Sequence, residues 1–123
     1  MILVDSSVWI DHLRRRDEIL MDLLDRGQGL IHPFVIGELA MGTLRQREVV
    51  LQDLHDLDSV VVADDEEVMR LIEAERLFGL GLGYVDVHLL ASVKLTPETL
   101  LWTRDKRLSA AAERLSLAAR VTH

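Results

Sequence analysis

An acidic residue directly follows a short apolar run at the start of the chain. Residues 2–4 are Ile-Leu-Val, Asp5 comes next, and Ser6 and Ser7 lead into a second apolar run at residue 8. A β-rich run this short predicts a buried central strand, so Asp5 would lie at the end of that strand. The position alone fits a cap for the following helix as well as a functional carboxylate, and both interpretations stay open.

Strand patterns alternate with helical patterns along the whole chain. Further strands are predicted at residues 30–31, 59–63, 99–103 and 119–121. Helices are predicted after Asp5, over 17–26, from Pro33 to Gly42, over 45–57, from Asp64 to Phe78, after Gly83, and over 105–117. This alternation predicts an α/β domain in which helices cover both faces of a parallel sheet. Ligands bind beyond the carboxyl ends of such strands, so the residues that follow each strand are candidates for a site.

Length and composition predict one soluble domain. The chain has 123 residues, of which 49% are hydrophobic, enough to bury a core without disulfides. It has no cysteine, which fits a reducing compartment, and no apolar segment long enough to span a bilayer. We therefore expect a single domain over residues 1–123, a cytoplasmic location and no association with membranes.

The net charge of −7 argues against a protein that holds nucleic acid through its overall field. It does not exclude a nuclease, because carboxylates neutralised by bound cations lower the formal charge of the bare chain. Local basic residues occur at 14–16 and at 104, 106 and 107. These runs are interpreted first as solvated surface, and Arg14, Arg104 and Lys106 are the candidates for contacts with an RNA backbone.

Two acidic residues fall within apolar helical surroundings. On a helix, Glu38 has Phe34, Val35, Met41 and Gly42 as its neighbours, and Asp86 has Leu82, Gly83, Leu89 and Leu90. An unpaired carboxylate among such residues is costly to bury, so we expect both side chains to have a function. Each lies in the first turns of its helix and can lean back toward the edge of the sheet.

Four acids can therefore meet at one edge of the sheet: Asp5, Glu38, Asp86 and Asp105. At an effective dielectric constant near 20, each pair of carboxylates about 4 Å apart would cost about 4 kcal/mol, so a divalent cation is expected between them. Ligation by oxygen atoms alone favours Mg²⁺, with Mn²⁺ as a substitute, over zinc. The acidic run at 64–67 is interpreted instead as the favourable first turn of a helix.

Other kinds of site are poorly supported by the sequence. The five histidines show no metalloprotease spacing and are interpreted as surface or packing residues: His12, His32, His55, His88 and His123. Ser6 and Ser7 lack the glycine-flanked turn of a serine hydrolase, although their hydroxyls could steady a water or the Asp5 carboxylate. The glycines at 79, 81 and 83 do not form a phosphate loop, because no strand precedes them.

With these residues in place, the sequence resembles the PIN-domain ribonucleases, in particular the VapC-type toxins of bacterial toxin–antitoxin pairs. The resemblance covers the full chain and rests on the order and spacing of four short motifs. These are Asp5-Ser6-Ser7, Pro33 with Glu38 and Gly42, Gly83 with Asp86 and Ala91, and Thr103-x-Asp105.

The resemblance implies a three-layer Rossmann-like PIN domain with strand order 3-2-1-4-5 and a Mg²⁺-dependent endoribonuclease site. Asp5, Glu38, Asp86 and Asp105 match the acidic quartet of the family, Thr103 matches a supporting hydroxyl, and Ser6 occupies a position where Ser or Thr is usual. The implied products carry a 5′-phosphate and a 3′-hydroxyl. The implied partners are a VapB-type antitoxin, an RNA substrate and a second copy of the chain.

Two other functions remain as alternatives. A catalytically silent PIN-fold binding module would keep the fold for protein partners, but the intact quartet argues against it. A receiver-like phosphoacceptor domain also gathers acids and Mg²⁺ at the ends of a parallel sheet. It is the weaker alternative, because Glu38 and Asp86 are predicted on helices and no lysine follows a strand in a comparable place.

Overall fold

A parallel sheet of three short strands lies at the centre of the computed structural model, which describes residues 1–121. The strands are β1 (Ile2–Val4), β2 (Gly29–Leu30) and β3 (Leu100–Trp102), in the spatial order β2-β1-β3. Leu3 pairs with Leu30 on one side and with Leu101 on the other. The predicted central position of the first strand is therefore confirmed.

The sheet continues at each edge by a single bridge. Ile31 pairs in parallel with Ser59, and Leu101 pairs in parallel with Ala118. With the segments at Ser59 and Ala118 counted as the third and fifth strands along the chain, the spatial order is the 3-2-1-4-5 that the family resemblance implies. The predicted strands at 59–63 and 119–121 are nevertheless wrong in extent, because each segment pairs with the sheet at or beside its first residue only.

The segment after Ser59 has its backbone donors bound by side chains of a neighbouring helix. The Val61 N–H donates to the Thr96 hydroxyl at 2.9 Å, and the Ala63 N–H donates to the Ser92 hydroxyl at 3.1 Å. With these donors satisfied outside the sheet, the valine-rich stretch has no ladder to extend. Its β propensity is overridden by tertiary hydrogen bonds.

The described chain, residues 1–121, contains seven helices. They are α1 (Ser6–Arg14), α2 (Glu18–Asp25), α3 (Pro33–Ala40), α4 (Arg47–His55), α5 (Asp65–Ala74), α6 (Tyr84–Leu95) and α7 (Lys106–Arg114). Helix α1 packs on α3 and α3 on α4, while α5 packs on α6 and α6 contacts β3. The α/β architecture with a helix-flanked parallel sheet agrees with the fold class predicted from the sequence.

Three predicted helices are shorter than expected. Helix α4 begins after Gln46, and α5 and α7 end before Arg76 and Ser116, three residues that all have positive φ angles of 51°, 53° and 60°. A residue in the left-handed region cannot continue a right-handed helix, so these positions mark the boundaries. The glycines at 79–83 therefore do not end α5, which has already stopped at Ala74.

The core lies between the sheet and the helices. Its largest fully buried apolar side chains come from nearly every element: Leu3, Val4, Val8, Leu20, Val35, Val68, Leu89, Leu90, Val93, Leu101 and Leu108. Among the described residues, no helix has the length and apolar character needed to cross a membrane. His123, interpreted from the sequence as a surface or packing residue, lies outside the described residues.

Candidate active site

Asp5 ends β1 and is nearly buried, with 5% of its surface exposed. One carboxylate oxygen, Oδ2, accepts hydrogen bonds from the Ser7 hydroxyl at 2.7 Å and from the Thr103 hydroxyl at 2.8 Å. The Ser7 N–H also points to this oxygen at 3.4 Å, so Asp5 is the N-cap of α1. Asp5 therefore combines a helix cap with a position at the end of the central strand, and its second oxygen, Oδ1, accepts no hydrogen bond within residues 1–121.

Ser7, rather than Ser6, supports Asp5. Its hydroxyl donates to Asp5 and accepts the Arg104 N–H at 3.0 Å, which ties α1 to the segment after β3. Ser6 instead acts as a hydrogen-bond donor to Glu38 and favours the ionised form of that residue. The rule that an N-cap side chain binds the N–H two or three residues on would have pointed to Ser7 from the sequence.

Glu38 lies at the margin of the buried face of α3, which is formed by Val35, Ile36 and Leu39. The residue is exposed, which corrects the expectation that it occupies a core position. It opens on a cleft of about 530 Å³ that is also lined by Ile10, Leu13 and other residues of α1, α3 and the segment after α3. The Glu38 pKa is raised, first by partial desolvation of its carboxyl group and then by the charges of Asp5 and Asp86, while Ser6 opposes the shift.

Asp86 lies in the first turn of α6 and is half-buried. Its Oδ2 accepts the Gly83 N–H at 2.9 Å, which satisfies a donor at the start of the helix. Burial raises the Asp86 pKa, and the charges of Asp105 and Asp5 raise it further, against the effect of the Gly83 hydrogen bond. Asp86 therefore lies within electrostatic range of both strand-end acids.

Asp105 and Thr103 follow β3 at the same edge of the sheet. Asp105 is exposed and caps α7, since its Oδ1 accepts the Leu108 N–H at 3.0 Å. The Thr103 hydroxyl, which donates to Asp5, accepts the Asp105 N–H at 3.1 Å. A continuous set of hydrogen bonds thus runs from Asp5 through Thr103 to the residue that carries the fourth acid.

The four predicted acids lie at one edge of the sheet and act on each other electrostatically. Within residues 1–121, however, no three Asp, Glu or His side chains are close enough to hold one ion as they stand. Like charges in a metal-free site keep carboxylates apart, which is consistent with this spacing. In the described chain, the second carboxylate oxygens of Asp5, Asp86 and Asp105 accept no hydrogen bond. The donor chemistry and the excess of negative charge fit a hard divalent cation.

Comparison with known proteins identifies the family. The family model for the PIN domain matches residues 2–114. The chain belongs to the PIN-domain family. It is 51% identical over 118 residues to "Ribonuclease VapC32" of Mycobacterium tuberculosis, in strains CDC 1551 / Oshkosh and ATCC 25618 / H37Rv, and the match covers 96% of this chain and 95% of the relative. The resemblance to VapC-type PIN-domain ribonucleases is thereby confirmed.

Nucleases with a PIN domain generally use divalent metal ions. In this PIN domain, all four acids lie close to the carboxyl ends of the central strands or the first turns of helices that start there. Three of them also hold backbone N–H groups at helix starts. The fold fixes the positions of these three acids, because each helix would lose a capping interaction if its acid moved away.

Arg104 is engaged by carboxylates outside the quartet. Its guanidinium pairs with Asp11 at 2.8 Å and with Asp17 at 2.6 Å, and it lies over the Trp102 ring at 5.6 Å from the centroid. Burial of the side chain is the largest single influence and lowers the Arg104 pKa, but the hydrogen bonds and charges of Asp11 and Asp17 together raise it above its ordinary value. Arg104, a predicted candidate for contact with an RNA backbone, is thus paired with two carboxylates in the fold.

The described histidines act as packing or surface residues. His32 is fully buried and caps α3 by accepting the Phe34 N–H at 2.9 Å, and burial lowers its pKa to about 4. His88 is also buried and bonds Asp65 at 3.1 Å. His55 is exposed on α4. His12 accepts the Asp17 N–H at 3.0 Å, where it supports the start of α2.

Proposed function

We propose that this PIN domain is a Mg²⁺-dependent endoribonuclease and the toxin of a VapBC-type pair. The observation that supports the proposal is the electrostatic interaction among Asp5, Glu38, Asp86 and Asp105 at one edge of the sheet. Two of these carboxyl groups have raised pKa values, caused by burial and by the charges of the others. The similarity to a relative named as a ribonuclease supports the same activity.

Asp5, Glu38, Asp86 and Asp105 are the residues that would hold one or two Mg²⁺ ions, with Mn²⁺ as a substitute. The chemistry that such cations supply is acidification of water and stabilisation of charge on a phosphate group. Asp5 is the fixed member, since Ser7 and Thr103 hold one oxygen and leave the other directed elsewhere. Ser6 orients Glu38, and Thr103 couples Asp5 to the Asp105 backbone.

These groups would position a phosphodiester of RNA for attack by water in line with the leaving oxygen. The products would carry a 5′-phosphate and a 3′-hydroxyl. No side chain of the described quartet acts as a nucleophile in this scheme, because carboxylates engaged by capping N–H groups and a cation are poor attacking groups. The contribution of the protein is placement of oxygen ligands in a partly desolvated cleft.

A VapB-type antitoxin is the proposed protein partner. The cleft beside Glu38 is lined by apolar side chains such as Ile10 and Leu13, which are exposed by 40% and 39%, and also by Arg14 and Arg45. A segment that lays apolar residues in this cleft could place a basic residue beside Glu38 and neutralise the acids. We also propose a homodimer, for which exposed side chains such as Val61 and Met69 offer apolar surface, and a cytoplasmic location.

The alternative is a catalytically silent PIN-fold module that only binds its protein partner. The phosphoacceptor alternative is disfavoured by the structure, because the described chain places Glu38 and Asp86 on helices and puts no lysine among the site contacts. RNA cleavage separates the two remaining functions. A silent module would bind the antitoxin but cleave no RNA under any metal condition.

The decisive experiment measures cleavage of total and synthetic RNA with Mg²⁺, with EDTA, and by Asp5→Asn. We expect cleavage only by the unsubstituted protein with Mg²⁺, and a loss of at least about 100-fold for Asp5→Asn. Asp22→Asn is the matched control, because Asp22 is an exposed acid on α2 that pairs with Arg26. Equal cleavage in all three conditions would rule out the metal–carboxylate mechanism, and no cleavage of any RNA would favour the silent module.

A further inference from the structure

The basic residues after β3 differ in what their side chains contact. Arg104 is engaged by Asp11 and Asp17. Arg107 lies on the first turn of α7, two residues beyond Asp105, and is exposed. Within residues 1–121 the Arg107 guanidinium has no ion pair and no hydrogen bond. An arginine of this kind keeps all its donors for an external anion.

The Arg107 side chain nevertheless packs against the backbone of a neighbouring loop. It lies directly over Gly81, where a Cβ atom would come within 2.6 Å of Arg107 Nη1 and 3.0 Å of its Cδ and Cζ. Gly81 also has a φ of 76°, a conformation that favours glycine. The glycine loop therefore forms a surface on which the guanidinium rests, and this loop leads through Gly83 into the helix that carries Asp86.

Arg107 is thus connected to the segments that carry two of the proposed ligands. Asp105 is the N-cap of the helix that carries Arg107, and the glycine loop that Arg107 contacts leads to Gly83, whose N–H donates to Asp86. An acidic site repels the RNA that it must bind, so a fixed cation beside it is needed to hold the backbone. The planar guanidinium matches phosphate oxygens, and its packing on Gly81 has already removed part of its side-chain freedom.

We infer that Arg107, resting on Gly81, binds an RNA phosphate next to the scissile one and so positions the strand across the acidic site. This inference rests on the ribonuclease function proposed above. It assigns the role to Arg107 rather than to Arg104, which is already paired. Lys106 carries the same charge one residue away, but it has no contact in the described chain that would hold it in place.

The test measures binding of a fluorescein-labelled single-stranded RNA oligonucleotide by anisotropy over a series of KCl concentrations. An Asp5→Asn background prevents cleavage. We expect Arg107→Gln to weaken binding about tenfold and to lower the slope of log K against log salt by about 0.7. Lys106→Gln should change the affinity by less than half as much. In the cleaving protein, Arg107→Gln should raise KM with little change in kcat.

Two glycine variants test whether RNA binding depends on where the Arg107 guanidinium lies, with the arginine itself retained. Gly81→Ala places a methyl group where Arg107 rests and should weaken RNA binding severalfold without removing any charge. Gly79→Ala is the matched control, because Gly79 has a similar φ of 72° but open space around its Cβ position. Circular dichroism tests whether both alanine variants are folded. Urea unfolding compares the loss of stability that a positive φ angle causes in each.

The outcomes distinguish the two proposals. If the unsubstituted protein cleaves RNA while Arg107→Gln and Lys106→Gln lower the salt slope equally, the Arg107 assignment is wrong and the ribonuclease function stands. Equal RNA affinity for Gly81→Ala and Gly79→Ala would contradict it in the same way. If the unsubstituted protein neither binds nor cleaves RNA, the proposed function fails and the role of Arg107 fails with it.

Discussion

Asp5 and the helix-borne acids Glu38 and Asp86 are held in different ways. Asp5 ends the central strand, and two hydroxyl groups donate to one of its oxygens. Glu38 and Asp86 lie on helices, where burial and neighbouring acids raise their pKa values. Hydrogen-bond donors within the fold therefore stabilise the Asp5 carboxylate without a metal ion. If the proposed function is correct, a bound cation stabilises the charges of Glu38 and Asp86.

The largest effect is expected at Asp5. We predict that Asp5→Asn lowers the unfolding free energy of the metal-free protein by about 2–3 kcal/mol, because two hydrogen bonds to a charged acceptor, worth about 1.5–3 kcal/mol each, are replaced by weaker bonds to a neutral amide oxygen. Urea denaturation in EDTA measures this change, with Asp22→Asn as the control. Unchanged stability would show that the Ser7 and Thr103 hydroxyls do not stabilise this carboxylate, and the contrast with the helix-borne acids would disappear.

Glu38→Gln should have the opposite effect on stability. The substitution removes a charge that its neighbours oppose, so we expect the metal-free protein to gain a small amount of stability, reduced by solvent screening at this exposed side chain. Cleavage should fall at least about 100-fold, as for Asp5→Asn, and the stabilisation by added Mg²⁺ should decrease. Thermal unfolding with EDTA and with Mg²⁺ tests this, and Glu73→Gln on α5 is an exposed control. A loss of stability equal to that of Asp5→Asn would contradict the comparison.

The hydroxyls around Asp5 should have intermediate effects. Ser7→Ala and Thr103→Val each remove one donor, so we expect a loss of about 1 kcal/mol in stability and about tenfold in cleavage. Ser6→Ala should affect stability less, because Ser6 interacts with Glu38 and not with Asp5. Ser109→Ala on α7 is the control for removal of a hydroxyl. Equal effects of Ser6→Ala and Ser7→Ala would show that the two serines do not have separate roles.

The sequence predicted the four acids, but its reason for one of them was incomplete. Glu38 was expected in the core because its helical neighbours are apolar, yet Phe34 and Met41 are themselves exposed. Apolar neighbours on a helix do not establish a buried face when that face borders a cleft. Asp5 was predicted more securely, since a strand end places its following residue at the edge of the sheet whatever the details of packing.

Long-range contacts explain what the sequence could not provide. The valine-rich segment after Ser59 had the composition of a strand, but the Ser92 and Thr96 hydroxyls, 29 and 35 residues along the chain from their partners, accept its N–H groups. Likewise, the pairing of Arg104 with Asp11 and Asp17 could not be predicted from the sequence. Local patterns cannot report such partners, because they depend on how distant elements pack.

The smallest effect concerns pH. The raised pKa values of Glu38 and Asp86 mean that the folded state binds more protons than the unfolded state above their ordinary values of 4.5 and 3.8. The stability of the metal-free protein should therefore fall as pH rises through this window and then level off. His32 has the opposite effect, because its lowered pKa of about 4 makes stability fall as pH drops from 6.5 toward 4.

The Glu38→Gln variant separates these contributions. Because it retains His32, the difference in unfolding free energy between this variant and the unsubstituted protein reports the contribution of Glu38. Urea denaturation in EDTA from pH 4 to about 7.5 should show this difference growing in favour of the variant above pH 4.5. A difference that does not vary with pH would mean that Glu38 ionises as easily in the fold as in the unfolded chain, and would remove its distinction from an ordinary surface acid.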